Sequence, residues 1–193
     1  MSQVEYPLGL SAKKNWAVDI LERFQKAKAV LTENGWDCKE NLDLSNLGLV
    51  VLPTILEVGG TFFYDHNQLT TLEGAPKEVG GHFWCTNNQL TTLEGAPKEV
   101  GGHFWCSSNQ LTTLEGAPEK VDGGDFTCSH NQLTTLEGAP KKVGGNFYCN
   151  HNQLTTFEGA PETVGSDFYC SNNPLPPNKT VEQLLKDARD PKR

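Results

Sequence analysis

One stretch of the chain, Leu69 to Cys85, recurs without a change from Leu90 to Cys106. The same unit returns with substitutions along most of the sequence. Its central leucine stands at positions 69, 90, 111, 133, 154 and 175, so the spacing is 21 residues with a single step of 22. A unit this short cannot bury its own apolar face and must stack on its neighbours. The sequence therefore predicts one continuous solenoid.

Each unit repeats a Val before a Gly pair, then Phe, Cys, Asn and two Leu residues. This order is similar to the leucine-rich repeat LxLxxNxLxxL, with Phe and Cys in the two strand positions that usually hold leucine. The fuller unit, LEGAPxxVGGxFxCxxNQL, resembles the short repeats of leucine-rich repeat proteins encoded by tailed phages and of bacterial effector proteins. The resemblance covers Leu42 to about Pro177.

The resemblance implies an α/β-type solenoid with a concave parallel β-sheet and a convex side without helices. We assign 1–14 to a partly ordered arm, 15–40 to an N-terminal capping helix, 41–177 to the solenoid and 178–193 to a C-terminal capping helix with a frayed tail. Apolar residues at helical spacing from Trp16 to Leu31 predict the first helix, which Asn34 and Gly35 would end. Thr180 and Gln183 have the spacing of a capping box, which predicts a helix from Val181 to Arg189.

Composition limits the partners. The 193 residues carry a formal net charge of −8. Binding to a phosphate backbone depends on Lys and Arg, so we expect no nucleic acid and regard a basic protein as the natural partner. No apolar run is long enough to cross a bilayer, and the N-terminus lacks a signal-peptide core, so we expect no membrane contact and a cytoplasmic protein, in the host cytoplasm if it is phage-encoded. The six cysteines are then expected to be thiols.

Parallel stacking turns each repeat position into a column. A buried ladder of amides is expected for Asn67, Asn88, Asn109, Asn131, Asn152 and Asn173. Small core residues rather than zinc ligands or disulfides are expected at the inward position held by Cys85, Cys106, Cys128, Cys149 and Cys170. A solvated row, with a basic partner or a cation as the alternative, is expected for Glu73, Glu94, Glu115, Glu137 and Glu158.

An outward column, here called the aromatic stripe, consists of Phe63, Trp84, Trp105, Thr127, Tyr148 and Tyr169. Such rings stabilise short strands by stacking on each other. They are also enriched at interaction hot spots, and exposed Trp is costly without a partner. The column beside the stripe consists of Thr61, His82, His103, Asp125, Asn146 and Asp167. A surface metal site or an acid–base pair can be drawn at its histidines and carboxylates, although no nucleophile or metal-binding motif accompanies them.

One unit departs from the others twice. It has 22 residues, with VDGGDF in place of VGGHF, and it carries Thr127 where the stripe is otherwise aromatic. These departures predict a local notch that is flanked by Trp105 and Tyr148, with His103 and Asp125 beside it.

We therefore predict a non-catalytic module, without cofactor or metal, that binds a protein through the concave aromatic face. The resemblance to phage repeats implies a bacterial host protein as the partner, which would be inhibited or diverted. Two alternatives stay open: a self-assembling structural protein, and a binder of a nucleotide or another small aromatic ligand at the notch. The predicted contact residues are Phe63, His82, Trp84, His103, Trp105, Asp125, Thr127, Tyr148, Asp167 and Tyr169.

Overall fold

A computed structural model describes residues 16–189, and the predicted arm over 1–14 and the predicted frayed end over 190–193 lie outside this range. In chain order its elements are α1 (Trp16–Lys26), β1 (Val30–Thr32), β2 (Gly35–Cys38), β3 (Leu42–Asp43), β4 (Ile55–Val58), β5 (Phe62–Phe63), β6 (Glu78–Val79), β7 (Phe83–Trp84), β8 (Glu99–Val100), β9 (Phe104–Trp105), β10 (Lys120–Val121), β11 (Phe126–Thr127), β12 (Lys142–Val143), β13 (Phe147–Tyr148), β14 (Thr163–Val164), β15 (Phe168–Tyr169) and α2 (Val181–Ala188).

The chain winds into a parallel β-solenoid of about six turns with one helix at each end. The strands that begin with Phe, together with β3, form a continuous sheet in the order β15-β13-β11-β9-β7-β5-β3, which we call the Phe sheet. The other strands, most of which end in Val, form what we call the Val sheet. It has two parts, with the orders β1-β2-β4-β6-β8 and β10-β12-β14. Equivalent repeat positions pair in both sheets, for example Phe83 with Phe104 and Val79 with Val100. The predicted stacking of units is thus confirmed.

One apolar cluster joins the buried sides of both sheets. Phe83 and Cys85 are fully buried, as are their counterparts in the coils up to Phe147 and Cys149, because side chains two residues apart share one side of a strand. In the last coil Phe168 is half-buried. In the first coil Leu42 and Leu44 fill these positions and are also fully buried. The inward positions predicted from the repeat are therefore confirmed, including those of the degenerate first unit.

The predicted asparagine ladder is confirmed as well. Asn88 Oδ1 accepts a hydrogen bond from the backbone N–H of Leu69 in the preceding coil at 3.1 Å. Its Nδ2 donates to the carbonyl oxygens of Tyr64 and Cys85, each at 3.2 Å. The same bonds recur from coil to coil, so the amide column satisfies backbone groups at a corner where no sheet pairs them.

The glycine pairs are required by close contact between coils. A Cβ added at Gly101 would clash with the carbonyl oxygen of Gly80, one coil earlier. A Cβ added at Gly102 would clash with Nδ1 of His82. The first glycine thus lets the backbones stack, and the second makes room for a polar side chain of the preceding coil.

The N-terminal helix is shorter than predicted. It ends at Lys26, and Lys28 adopts a left-handed conformation with φ 49°. The next residues form an antiparallel hairpin of β1 and β2, whose two-residue turn consists of Glu33 and Asn34. Leu31 belongs to the exposed strand β1 and is 49% exposed, so its place in the predicted helical stripe was wrong. Ile20 and Phe24 do join the core.

At the C-terminal end, the predicted capping box is confirmed. Thr180 accepts from the backbone N–H of Gln183, and Gln183 accepts from the backbone N–H of Thr180. Leu184 is buried and contributes to the core, whereas Val181 is exposed. Over residues 16–189, helices occur only at the ends, so the coils are built from two strands and turns, and no helix there is long and apolar enough to cross a membrane.

The 22-residue unit interrupts only one of the two sheets. Its inserted residue, Asp122, follows β10, and within the described chain this strand pairs with β12 but not with β8. Asp122 instead lies between two lysines, 2.9 Å from Nζ of Lys142 and 3.5 Å from Nζ of Lys120. The Phe sheet continues through β11. The two departures of this unit therefore affect different sheets, and the insertion does not contribute to a notch beside Thr127.

Candidate binding face

The aromatic stripe lies on the outward side of the Phe sheet, where the parallel register places one ring beside the next. Trp84 and Trp105 stack with ring centroids 4.2 Å apart, and Tyr148 and Tyr169 stack at 4.7 Å. Phe63 meets Trp84 edge to face at 5.2 Å. The rings are half-buried, apart from Tyr169, which is 42% exposed. Both ring stacking and an accessible aromatic surface are thus present.

Thr127 divides the stripe into two stacks. It pairs in register with Trp105 on one side and with Tyr148 on the other, so these rings flank it as predicted. The half-buried Thr127 side chain is much smaller than a ring. We call the space above it the Thr127 gap.

The column beside the stripe forms a hydrogen-bonded ladder, which we call the corner ladder. His82 Nδ1 accepts from the backbone N–H of His103 at 2.9 Å, and His103 Nδ1 accepts from that of Asp125 at 2.8 Å. Asp125 Oδ1 accepts from the backbone N–H of Asn146 at 2.7 Å, and Asn146 Oδ1 accepts from that of Asp167 at 3.0 Å. Each side chain thus satisfies a backbone group one coil later.

The ladder begins before the histidines and was not predicted from the sequence. Asn41 Oδ1 accepts from the backbone N–H of Thr61, and Thr61 Oγ1 accepts from that of His82. The available signal was chemical: the residue after the second glycine varies between Thr, His, Asp and Asn, and all of these side chains can accept a hydrogen bond.

The ladder fixes the chemistry of the two histidines. An Nδ1 atom that accepts a backbone N–H carries no proton, so the neutral rings hold their proton on Nε2. Burial, and then the neighbouring His103, lower the pKa of His82, which favours this neutral form. Neither nitrogen then offers a free lone pair to a metal. The arrangement therefore disfavours the metal site that the sequence allowed at His82 and His103, while the two Nε2–H groups serve as hydrogen-bond donors.

The charges on this face are acidic. Asp65, Asp125 and Asp167 lie on the outward side of the Phe sheet or directly after a strand, and none of the columns from Thr61 to Ser171 on that side contains Lys or Arg within the described residues. The Tyr169 hydroxyl donates to Asp167 at 3.1 Å. The face thus combines aromatic rings with carboxylates. Asp65 contacts His66 Nδ1 at 2.7 Å, and in the first coil Asp43 pairs with Arg23, but Asp125 and Asp167 have no Lys or Arg partner among residues 16–189.

The other predicted columns behave as structural features. All six cysteines are free and buried, and burial raises the pKa of the Cys85 thiol to about 12. His66, His130 and His151 are exposed with left-handed backbones, and the last two stack at 4.2 Å. The row that begins with Glu73 is exposed, as expected. Across residues 16–189, no group of three or more His, Cys, Asp or Glu residues could hold a metal ion.

Comparison with known proteins adds no assignment. No protein-family model matches the chain, and no match is found among curated proteins. The binding role of the residues on this face therefore stays a prediction from their chemistry and arrangement.

Proposed function

We propose that this protein is a non-catalytic leucine-rich repeat module that binds another protein through the aromatic side of the Phe sheet. The observation that carries the proposal is the combination of Trp and Tyr rings, half-buried and partly accessible, with carboxylates in outward columns that contain no Lys or Arg from Thr61 to Ser171. Aromatic rings supply much of the energy at protein interfaces. Uncompensated carboxylates favour a basic partner surface.

The leucine-rich repeat assignment is supported by the buried Leu columns and the asparagine ladder, which match the pattern LxLxxNxLxxL. The coils differ from the α/β form of such repeats, since their second segment is a strand of two to four residues. The likeness of the unit to phage-encoded repeats makes a bacterial host protein the first partner to test. A cytoplasmic setting belongs to the same proposal.

The test is capture of proteins from a bacterial lysate on the immobilised full chain. We expect the wild type to retain a defined protein and Tyr148→Ala/Tyr169→Ala to lose it. A control variant, Glu78→Ala/Glu99→Ala, changes two exposed residues of the Val sheet and is expected to retain the partner. Circular dichroism checks that each variant is folded. Equal capture by both variants would contradict the proposal.

Light scattering of the same proteins tests the self-assembly alternative. A module that binds a different protein is expected to be a monomer at high concentration. The alternative predicts that the wild type forms oligomers as its concentration rises and that Tyr148→Ala/Tyr169→Ala stays monomeric. That result would identify the aromatic stripe as a contact between copies of this chain.

A further inference from the structure

We propose that the Thr127 gap binds the guanidinium group of an arginine side chain of the partner, between the ring faces of Trp105 and Tyr148 and beside the carboxylate of Asp125. The inference rests on the proposed function, which it deepens by naming the chemical group that is recognised.

The first support is the orientation of the rings. Trp84 and Trp105 are stacked with an interplanar angle of 29°, and Tyr148 and Tyr169 with an angle of 5°. The stacks run from coil to coil, so Trp105 and Tyr148 turn one ring face each towards the coil of Thr127 between them. The gap is therefore bounded by two aromatic faces.

The second support is the width of the gap. Trp105 and Tyr148 are two strand spacings apart, which corresponds to about 9.6 Å. A planar group in contact with both faces needs about 7 to 8 Å, because carbon contacts are about 3.5 to 4.0 Å. One flat group fits with a small tilt of the rings, and Thr127 forms the floor.

The third support is a carboxylate oxygen at the edge of the gap. Asp125 precedes Thr127 by two residues, so both side chains lie on the same side of the strand. Its Oδ1 accepts from the backbone N–H of Asn146 at 2.7 Å and from Asn146 Nδ2 at 3.1 Å. Its Oδ2 lies 3.5 Å from His103 Nδ1, but that nitrogen already accepts a backbone N–H. Asp125 therefore carries a charge that no Lys or Arg among residues 16–189 neutralises within 4 Å.

These three features favour a flat cation over the other candidates. The phosphates of a nucleotide would meet Asp125 and Asp167, and the outward columns from Thr61 to Ser171 offer no Lys or Arg to bind them. An ammonium group is compact and does not fill a slot between two planes. A guanidinium is planar, stacks on aromatic faces and pairs with a carboxylate through its N–H groups.

The test uses two capped tripeptides, Gly-Arg-Gly and Gly-Lys-Gly, as probes of the full-length protein. Nuclear magnetic resonance follows the indole N–H signal of Trp105, and sodium chloride at equal ionic strength is the baseline. We expect the arginine peptide to shift this signal in a saturable way and to bind at least fivefold more tightly than the lysine peptide.

Three variants locate the binding. Thr127→Tyr fills the gap with the ring that the next two coils carry at this position. Asp125→Asn removes the charge but keeps an oxygen that can accept the ladder hydrogen bond, as Asn146 does in the next coil. We expect each variant to bind the arginine peptide at least tenfold more weakly. Asp167→Asn removes a carboxylate outside the gap and is expected to bind like the wild type. A wild type without a saturable shift, or unchanged binding in both gap variants, would overturn the proposal.

Failure of this inference is distinguishable from failure of the proposed function. If the partner is captured through the aromatic stripe but Thr127→Tyr captures it equally well, the arginine site is wrong and the binding face stands. If Tyr148→Ala/Tyr169→Ala captures the partner like the wild type, the binding face itself is wrong.

Discussion

At the scale of single residues, the corner ladder makes the stability of the protein depend on pH. His82 Nδ1 can accept the backbone N–H of His103 only when the ring is neutral. Burial and the nearby His103 lower the pKa of His82 from its ordinary 6.5. The unfolded chain then binds a proton more readily than the folded chain, so the free energy of unfolding falls as the pH decreases below about 6.5.

The variant His82→Thr isolates this contribution, since Thr61 performs the same role one coil earlier with a side chain that does not titrate. We expect urea unfolding at pH 7.5 and 5.5 to show a smaller loss of stability for the variant than for the wild type. The two proteins differ only at position 82, so the difference between their losses of stability reports on this side chain. An equal loss in the two proteins would show that His82 does not act through its neutral form.

A second residue-scale prediction concerns the first glycine of each pair. Gly101→Ala places a methyl group against the carbonyl oxygen of Gly80, which cannot move without displacing a coil. We expect a loss of at least about 2 kcal/mol in the free energy of unfolding. Gly48→Ala is the control, because its nearest neighbour would be 3.9 Å away and its φ of 65° costs about 1 kcal/mol. Chemical denaturation that ranks Gly48→Ala as the more damaging change would contradict this packing account.

At the scale of elements, the strands of the Phe sheet could be predicted because Phe and Cys, two positions apart, mark one side of a strand. The Val sheet could not, since a strand of two residues such as Glu78–Val79 has no periodicity to detect. The end of α1 was misplaced because Val30 and Leu31 continue the helical spacing by coincidence, although they belong to an exposed hairpin strand.

The candidate site was predictable to a similar degree. The aromatic stripe and its interruption at Thr127 follow from the alternation of strand side chains. The corner ladder required knowledge of which backbone N–H groups lack a partner at the corner, and a list of residue types does not contain it. The acidic character of the face could be judged only when three columns were seen side by side.

The break in the Val sheet supplies an element-scale prediction. Deleting Asp122 restores the 21-residue spacing and is expected to join β8 to β10. The gain is a set of backbone hydrogen bonds, each worth about 1 kcal/mol, and the loss is a pair of ion contacts that are exposed to solvent and contribute little. We expect slower amide exchange at Lys120 and Val121 and a higher melting temperature.

The converse change provides the control for that deletion. An Asp inserted between Val100 and Gly101 is expected to open a second break and to lower the melting temperature. If deletion of Asp122 destabilises the protein as much as this insertion does, the fold requires Asp122. The break in the Val sheet is then not simply a consequence of the extra residue.

At the scale of the whole molecule, the repeat separates a nearly constant core from a variable outward face. The inward columns of Phe, Cys, Leu and Val are nearly constant and form one core. The outward columns of the Phe sheet vary from coil to coil, and they gather rings and carboxylates on one side of the solenoid. Parallel stacking thus converts substitutions 21 residues apart into neighbours on one surface, which is what a binding module requires.

The most direct test of this account is the affinity of the captured partner, once purified, for three forms of the protein. We predict that Tyr148→Ala/Tyr169→Ala binds it at least tenfold more weakly than the wild type, equivalent to about 1.4 kcal/mol or more. Glu78→Ala/Glu99→Ala, on the Val sheet, is predicted to bind within about twofold of the wild type, as expected for residues outside the interface. The central claim would be contradicted if Tyr148→Ala/Tyr169→Ala kept the affinity of the wild type and Glu78→Ala/Glu99→Ala lost it.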